Sequence, residues 1–349
     1  MKFRKRFGCL CLILTLLCMF CGCAGSQDSQ VQSATYFTWF DTVSTISSYA
    51  GDSPQTFAEN CQVVSDILER YHQLFDIYNE YPGTANLATI NTNAGGEAVP
   101  VSRELVEFLL YAKEMDTVTD GEMNVMMGSV LRLWHDAREA ALQDPEQAAI
   151  PSPQALEQAA EHTNMNALEI DPEGCTVRLS DPNSSLDVGA LAKGYATERA
   201  AQALADAGIS GYLLDIGGNI RMIGCKADGS GWRTGVKNPQ NPQTLAAKLT
   251  LQDTSCVTSG NYERYFTVDG VRYHHIIDKD TAMPADFFAS VTVITRDSGL
   301  ADALSTALFC MPYEAGLALA EKLGNVEVLW ILPDGTQYKT PGLELLEIA

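Results

Sequence analysis

The 349-residue chain carries 44 acidic against 23 basic side chains, a formal net charge of −21, with 46% apolar and 19% charged residues. That much apolar side chain excludes a disordered polymer and supplies a sizeable folded core. The acidic excess excludes a protein that gathers nucleic acid or anionic lipid through its general field, so a phosphate ligand must be held by local backbone groups and a metal.

Taken in order, Lys2, Arg4, Lys5 and Arg6 precede the apolar run Phe7 to Phe20, which is too short for a comfortable membrane span and has the layout of a bacterial export signal. The run ends Phe20-Cys21-Gly22-Cys23 and resembles a lipoprotein cleavage box with Cys23 as the lipidated residue; a cleaved, soluble secretion signal is the alternative. Residues 1–23 are thus expected to be a signal, 24–34 a polar tether and 35–349 one folded domain on the extracytoplasmic face of the membrane, lipid-anchored. Removal of the signal takes away four basic and no acidic residues, so the net charge falls from −21 to −25. Five of the ten cysteines lie in this leader, and Cys61, Cys175, Cys225, Cys256 and Cys310 are scattered, with no Cys-x-x-Cys pair. They fit small buried hydrophobes better than a disulfide frame or zinc site.

Thr35 to Ala50, rich in aromatic and β-branched residues, predicts a strand, and Phe57 to Phe75 an amphipathic helix with Val64, Leu68 and Tyr71 at helical spacing. Tyr78 and Tyr81 flank the break that follows; they can stack on a flat ring or simply pack. A helix over Arg103 to Thr117 is interrupted at Thr119-Asp120-Gly121 and expected to continue from Glu122 to Ala140, capped by Thr119 or Asp120, groups that can equally meet a ligand. A loop over Gln143 to Pro153 leads to a short helix, Gln154 to Glu161, and Thr176 to Leu186 predicts a strand.

Next comes Asp187-Val188-Gly189-Ala190-Leu191-Ala192-Lys193-Gly194-Tyr195, opening into a small-residue helix, Ala196 to Ala207. The free N–H groups and dipole of a helix start attract an anion, and Lys193 strengthens that pull; an ordinary strand-to-helix junction with a solvated lysine is the alternative. Gly211 to Gly224 predicts a hairpin turned at Gly217-Gly218, glycines that can also bare N–H groups toward a ligand. Trp232 to Pro239 and Leu245 to Leu251 add strands, Val257 to Tyr262 concentrates hydroxyls in a turn, and the Asp269-Gly270 hairpin delivers His274 and His275. A strand at Ala289 to Ile294, helices at Ser298 to Met311 and Glu314 to Leu323, and a hairpin over Val326 to Tyr338 close the chain. Hairpins with interspersed helices and no β-α-β alternation predict an α+β fold with largely antiparallel sheets.

There is no Gly-x-Gly-x-x-Gly, Walker loop, Gly-x-Ser-x-Gly or His-Glu-x-x-His in the chain, which removes the support for nucleotide-fold, hydrolase and zincin chemistry. What remains is oxygen-rich. Asp302 and Thr306 stand one helical turn apart and, with a backbone carbonyl from another loop, make a hard-oxygen site suited to Mg²⁺; without a metal they are a helix-surface pair. Such a metal beside glycine-rich turns and one lysine suits a pyrophosphate.

Six segments in order carry a family resemblance: Thr119-Asp120-Gly121; Asp187 to Tyr195; Ile216-Gly217-Gly218-Asn219; Thr258-Ser259-Gly260-Asn261-Tyr262; His275-Ile276-Ile277-Asp278; and Ala301 to Ala307. Together they resemble the ApbE family, the FAD:protein FMN transferases, over roughly residues 35 to 340. The resemblance implies that FAD is split at its pyrophosphate and its FMN half joined to a threonine hydroxyl of an extracytoplasmic partner protein, releasing AMP. It also implies that Asp302, Thr306 and the Ala190 carbonyl hold Mg²⁺ and that His275 is the base for the acceptor hydroxyl. Asp187, Lys193, Gly217, Gly218, Asn219, Thr258, Ser259, Gly260 and Tyr262 would line the FAD pocket, with Tyr78 at the ring and Thr119, Asp120 and Asp278 close by. Three departures stand out: Asp278-Lys279-Asp280-Thr281-Ala282 lacks the family's proline and glycine, Phe40-Asp41-Thr42 replaces Met-Gly-Thr, and Asn124 replaces the acid usual after Thr-Asp-Gly-x-x. An FAD pyrophosphatase, with water in place of threonine, and a lipid-tethered flavin-binding protein without chemistry are the competing readings.

Overall fold

The computed structural model describes residues 31–345; the expected signal and Cys23 lie outside the described residues, as does the tether up to residue 30. Gln32–Tyr36 (β1) and Ser44–Ser48 (β2) pair antiparallel. The single strand expected over Thr35 to Ala50 is therefore a hairpin, bent where Phe40 and Asp41 take φ of 53° and 49°, and Gln32 to Ala34, expected at the end of the tether, belong to β1. Helix α1, Pro54–Phe75, starts on a Ser53 side chain that accepts from the Thr56 N–H, with proline in its first turn. Helix α2, Leu87–Thr92, is held by an Asn86/Thr89 capping box.

After β3 (Val99–Pro100) comes α3, Arg103–Val118. The helix expected to resume at Glu122 resumes only at Gly128, as α4, Gly128–Gln143, because Asp120 and Gly121 enter the left-handed region, φ 55° and 83°, and turn the chain aside. Helix α5, Pro153–Ala160, precedes β4 (Leu168–Asp171) and β5 (Thr176–Leu179), and these form a small sheet in the order β3-β5-β4. The expected strand to Leu186 ends at Leu179, while α6, Ala192–Asp206, begins four residues sooner than its apolar pattern suggests.

The rest of the chain builds the main sheet. Strands β6 (Tyr212–Ile216) and β7 (Asn219–Ile223) make the expected Gly-Gly hairpin, β8 (Trp232–Asn238) and β9 (Asn241–Leu251) a long second one. Ser255–Gly260 is a strand, β10, and not the turn its hydroxyls suggested. Strands β11 (Tyr265–Val268) and β12 (Val271–His274) flank the Asp269-Gly270 turn, followed by β13 (Ser290–Thr295), α7 (Ser298–Cys310), α8 (Tyr313–Leu323), β14 (Glu327–Ile331) and β15 (Gln337–Lys339). Eight strands join in the order β1-β2-β6-β7-β10-β13-β14-β15, antiparallel throughout. Among the described residues no helix is long and apolar enough to cross a membrane.

Period-two alternation assigns the two faces of this sheet. Leu214, Ile216, Val257, Val291, Val293, Val328 and Trp330 join the core shared with α1, α3, α6 and α7, whereas Met222, Cys256, Ile294, Leu329 and Ile331 join Trp232, Val236 and Leu249 of the β8–β9 hairpin. Helix α7 is buried along nearly its whole length, Asp302 included, as its apolar sequence requires. Helix α6 lies against it through small residues. A Cβ on Gly194 would stand 2.4 Å from both the Asp302 Cβ and the Ser298 carbonyl oxygen, so the approach of α6 to α7 depends on that glycine.

Gly194→Ala should therefore force the helices apart and cost about 1–3 kcal/mol, read as a lowered midpoint in urea unfolding; an unchanged midpoint would show that the junction has slack.

Candidate active site

The Gly194 N–H, one of the free donors in the first turn of α6, gives its hydrogen bond to Asp302 Oδ2 at 2.8 Å. The helix start expected to attract an external anion thus faces the protein's own carboxylate. Lys193 Nζ lies 3.6 Å from the same oxygen and 3.4 Å from the Gly189 carbonyl, so the loop bearing Ala190 and the α7 carboxylate meet at one ammonium. Asp302 is 4% exposed. Burial pushes its pKa up, opposed by Lys193 and by the Gly194 N–H.

One turn along α7, Thr306 Oγ1 is 3.4 Å from Ser259 Oγ, which is 2.8 Å from Ser305 Oγ. Ser259 sits on the helix side of β10. Thr258 does not: alternation turns it to the other face, where its hydroxyl pairs with Thr292 Oγ1 at 2.8 Å, so the structure corrects its expected place in the pocket. Asn219, first residue of β7, accepts from the Ser298 hydroxyl. Its Nδ2 is buried without a hydrogen-bond partner, close enough to favour the Asp302 carboxylate but outside bonding geometry. The Tyr262 ring covers Gly260, 2.6 Å from where a Cβ there would stand, and burial raises the Tyr262 pKa to about 12, so its hydroxyl stays protonated.

Gly217 and Gly218 adopt the positive φ expected of them, 61° and 85°, but their N–H groups are spent on the Val43 carbonyl at 3.0 Å and Asp215 Oδ1 at 2.9 Å. They shape the turn and present no free donors. A side chain at 217 would strike Thr42, which sets the Phe40-Asp41-Thr42 segment against this turn.

His275 follows β12 and is exposed, yet has enough protein around its ring to be desolvated. Desolvation first, then the Arg264 guanidinium, hold its pKa below the ordinary 6.5, and Lys193 adds to the effect, which places the two side chains within electrostatic reach. Its Nδ1 is 3.2 Å from the Arg264 carbonyl. A carbonyl only accepts, so Nδ1 carries the proton and Nε2 is left with a free lone pair.

Asp187 accepts from the Gly189 N–H at 2.9 Å, and its pKa rises through burial. Tyr78, 53% exposed, tilts over His135 at 5.4 Å between ring centroids and senses the Asp187 charge; nothing in the spacing of the sequence singled out His135. Thr119 is turned inward at 1% exposure, donating to the Met115 carbonyl and accepting from the Met123 N–H. It holds the turn, and its only O–H proton is given to the protein backbone. Asp120 is exposed on that turn. Asp278 Oδ1 accepts from the Asp280 N–H, the Thr281 N–H and the Thr281 hydroxyl, so a side chain performs the turn that the missing proline would favour. Ala282 takes the left-handed φ of 55° usual for glycine, and its carbonyl accepts from Trp134 Nε1 at 2.9 Å.

Among the described residues no three His, Cys, Asp or Glu side chains converge on a metal. Around the junction stand instead the buried Asp302 carboxylate, the orphaned Asn219 amide N–H beside it, the Gly189 carbonyl at Lys193 and, one turn along α7, the Thr306 hydroxyl. That set fits a hard cation that brings substrate phosphate as further ligands. A cavity of about 360 Å³ lies behind the junction, between α3, α6 and the start of α7. Its lining of Glu107, Glu114, Glu198 and Asp297 against Arg199 repels a diphosphate and sets it apart from the site.

Fold and site thus define an antiparallel α+β protein built around a buried acid–lysine junction that suits a diphosphate. The chain belongs to the ApbE family, whose pattern it matches over residues 40–330. It is 35% identical over 263 residues, 71% of each chain, to the FAD:protein FMN transferase of Treponema pallidum. To that of Klebsiella pneumoniae it is 32% identical, over 77% of this chain and 80% of the relative. The crystal structure of the ApbE protein of Thermotoga maritima superposes with a TM-score of 0.78 at 29% identity, over 89% of this chain and 97% of the other. The flavin transferase ApbE from Vibrio cholerae gives 0.71 at 26%, over 89% and 98%.

Proposed function

We propose that the protein is an FAD:protein FMN transferase, and the observation that carries this reading is the meeting of Lys193, the Gly194 N–H and Asp302 at one junction, with Thr306 one turn along α7 and His275 within electrostatic reach of Lys193. The acceptor threonine oxygen attacks the flavin-side phosphorus of FAD, the bond from that phosphorus to the bridging oxygen breaks, and AMP leaves with the electron pair. His275 Nε2, its lone pair held free by the Nδ1 hydrogen bond to Arg264, takes the threonine proton. Lys193 faces the diphosphate, and Tyr78 and Tyr262 offer flat surfaces at the cleft for the flavin. Mg²⁺, when held by Asp302, Thr306 and the Ala190 carbonyl, supplies charge neutralisation at the bridging oxygen. The leader supports export and a lipid anchor at Cys23, which would place the cleft on the extracytoplasmic face, where the acceptor protein is met.

Incubation of the detergent-solubilised protein with FAD, Mg²⁺ and a threonine-bearing acceptor should give a covalently fluorescent acceptor band in a denaturing gel. FMN released without a labelled band would make it a pyrophosphatase, the outcome that the solvent exposure of His275 would permit, and bound, unchanged FAD a storage protein. Asp302→Ala should lower the rate at least ~100-fold with the fold retained by circular dichroism; undiminished turnover would refute the metal assignment.

Because His275 is a base with a lowered pKa, the acid limb of the pH–rate profile should fall below pH 6.5. Loss of rate accompanies protonation, so Arg264→Gln, which removes a repelling charge, should move that limb to higher pH; a limb that stays in place would show that another group titrates. Metabolic labelling with radioactive palmitate should mark the protein and fail to mark Cys23→Ser; equal labelling of both would rule out that anchor.

A further inference from the structure

The residues that meet ligand are held by a second set buried behind them, which neither spacing nor family pattern singled out. Glu198 lies one turn beyond Gly194 on α6 and is 7% exposed. Its Oε2 accepts from Arg221 Nε at 3.1 Å and from the Ser298 N–H, the first residue of α7, at 2.8 Å. Arg221, 4% exposed on β7, is itself held by Asp253 Oδ1 at 3.3 Å. The Ser298 hydroxyl then donates to Asn219 Oδ1. An amide whose oxygen accepts there must turn its NH₂ the other way, and that Nδ2 is the buried, unpartnered donor beside Asp302.

We infer that Glu198 and Ser298 are positioning residues for the metal-binding carboxylate: Glu198 pins the N-terminus of α7 to α6 and β7, and Ser298 sets the Asn219 amide so that its NH₂ faces Asp302. The inference rests on the Mg²⁺ reading above. The geometry argues for it over a merely stabilising ion pair in two ways. The Glu198 carboxylate contacts the helix that carries Asp302 and Thr306 at its first N–H, four residues before Asp302, so it fixes both the rise and the rotation of α7. The chain Arg221–Glu198–Ser298–Asn219 also ends on an unused donor pointed at the site, where a purely structural network would end on a satisfied one. Partners that orient a ligand in this way typically tune metal affinity 10–100-fold.

The test is titration of Mn²⁺, read by loss of the free-ion electron paramagnetic resonance signal, into the full-length protein in detergent. Ser298→Ala removes only the hydroxyl link. It should keep the thermal midpoint within a few degrees and metal-free FAD affinity within about twofold, yet weaken Mn²⁺ binding at least about tenfold. Glu198→Gln should weaken it similarly, and the double variant should be no weaker than the poorer single one, because both act through one chain. Mn²⁺ binding at the wild-type level in a folded Ser298→Ala overturns the inference, as does a double variant whose losses add. Should Glu198→Gln fail to fold, Ser298→Ala decides alone. A wild-type protein that takes up no Mn²⁺ removes the metal assignment, and the positioning role with it.

Discussion

One hydrogen bond, from the Gly194 N–H to Asp302 Oδ2, ties the molecule together, because it can form only where two helices touch. Helix α7 is sequestered between the sheet and α6, and a charged carboxylate in its middle would be costly without partners. The partners come from the first turn of α6, which has unused N–H groups and a lysine. For them to arrive, α6 must approach within a distance that no Cβ at 194 allows. The main sheet, with Asn219 on β7 and Ser259 on β10, presents the remaining polar atoms to the same spot.

The electrostatics follow from that packing. The chain is strongly acidic, and Lys193, together with the start of α6, sets positive potential beside Asp302. Burial raises the Asp302 pKa against the pull of Lys193 and the Gly194 N–H, so a cation beside it would stabilise its charged form. At His275, desolvation together with the Arg264 guanidinium favours the neutral ring, and the Arg264 carbonyl selects the tautomer. Burial thus moves the two pKa values in opposite directions, up for Asp302 and down for His275, and in both cases disfavours the charged form.

Much of this was legible along the chain. The hairpins at Gly217-Gly218 and Asp269-Gly270, the amphipathic α1 and the one-turn spacing of Asp302 and Thr306 are local properties of the backbone, and the structure keeps them. The ApbE resemblance rested on short motifs in fixed order, and the family match and the superposed structures bear it out. Where the reading failed, a side chain or N–H had two possible partners. Val257 to Tyr262 looked like a turn because of its hydroxyls, yet Ser255–Gly260 pairs with strands on both sides, and the same pairing turns Thr258 away from α7 and Ser259 toward it. Gly217 and Gly218 kept the conformation expected of them but gave their N–H groups to the protein, and Thr119 gave its hydroxyl to its own turn. Glu198, Arg221 and Ser298 were invisible because their partners are 23 to 100 residues away.

The sequence by itself determined the local elements, the family and the residue types able to grip a diphosphate, since periodicity, turn chemistry and motif order are written within a few consecutive residues. Only the tertiary structure decided which of those groups remain available to a ligand, because a donor or acceptor is free or spent according to what the packing of distant segments brings against it.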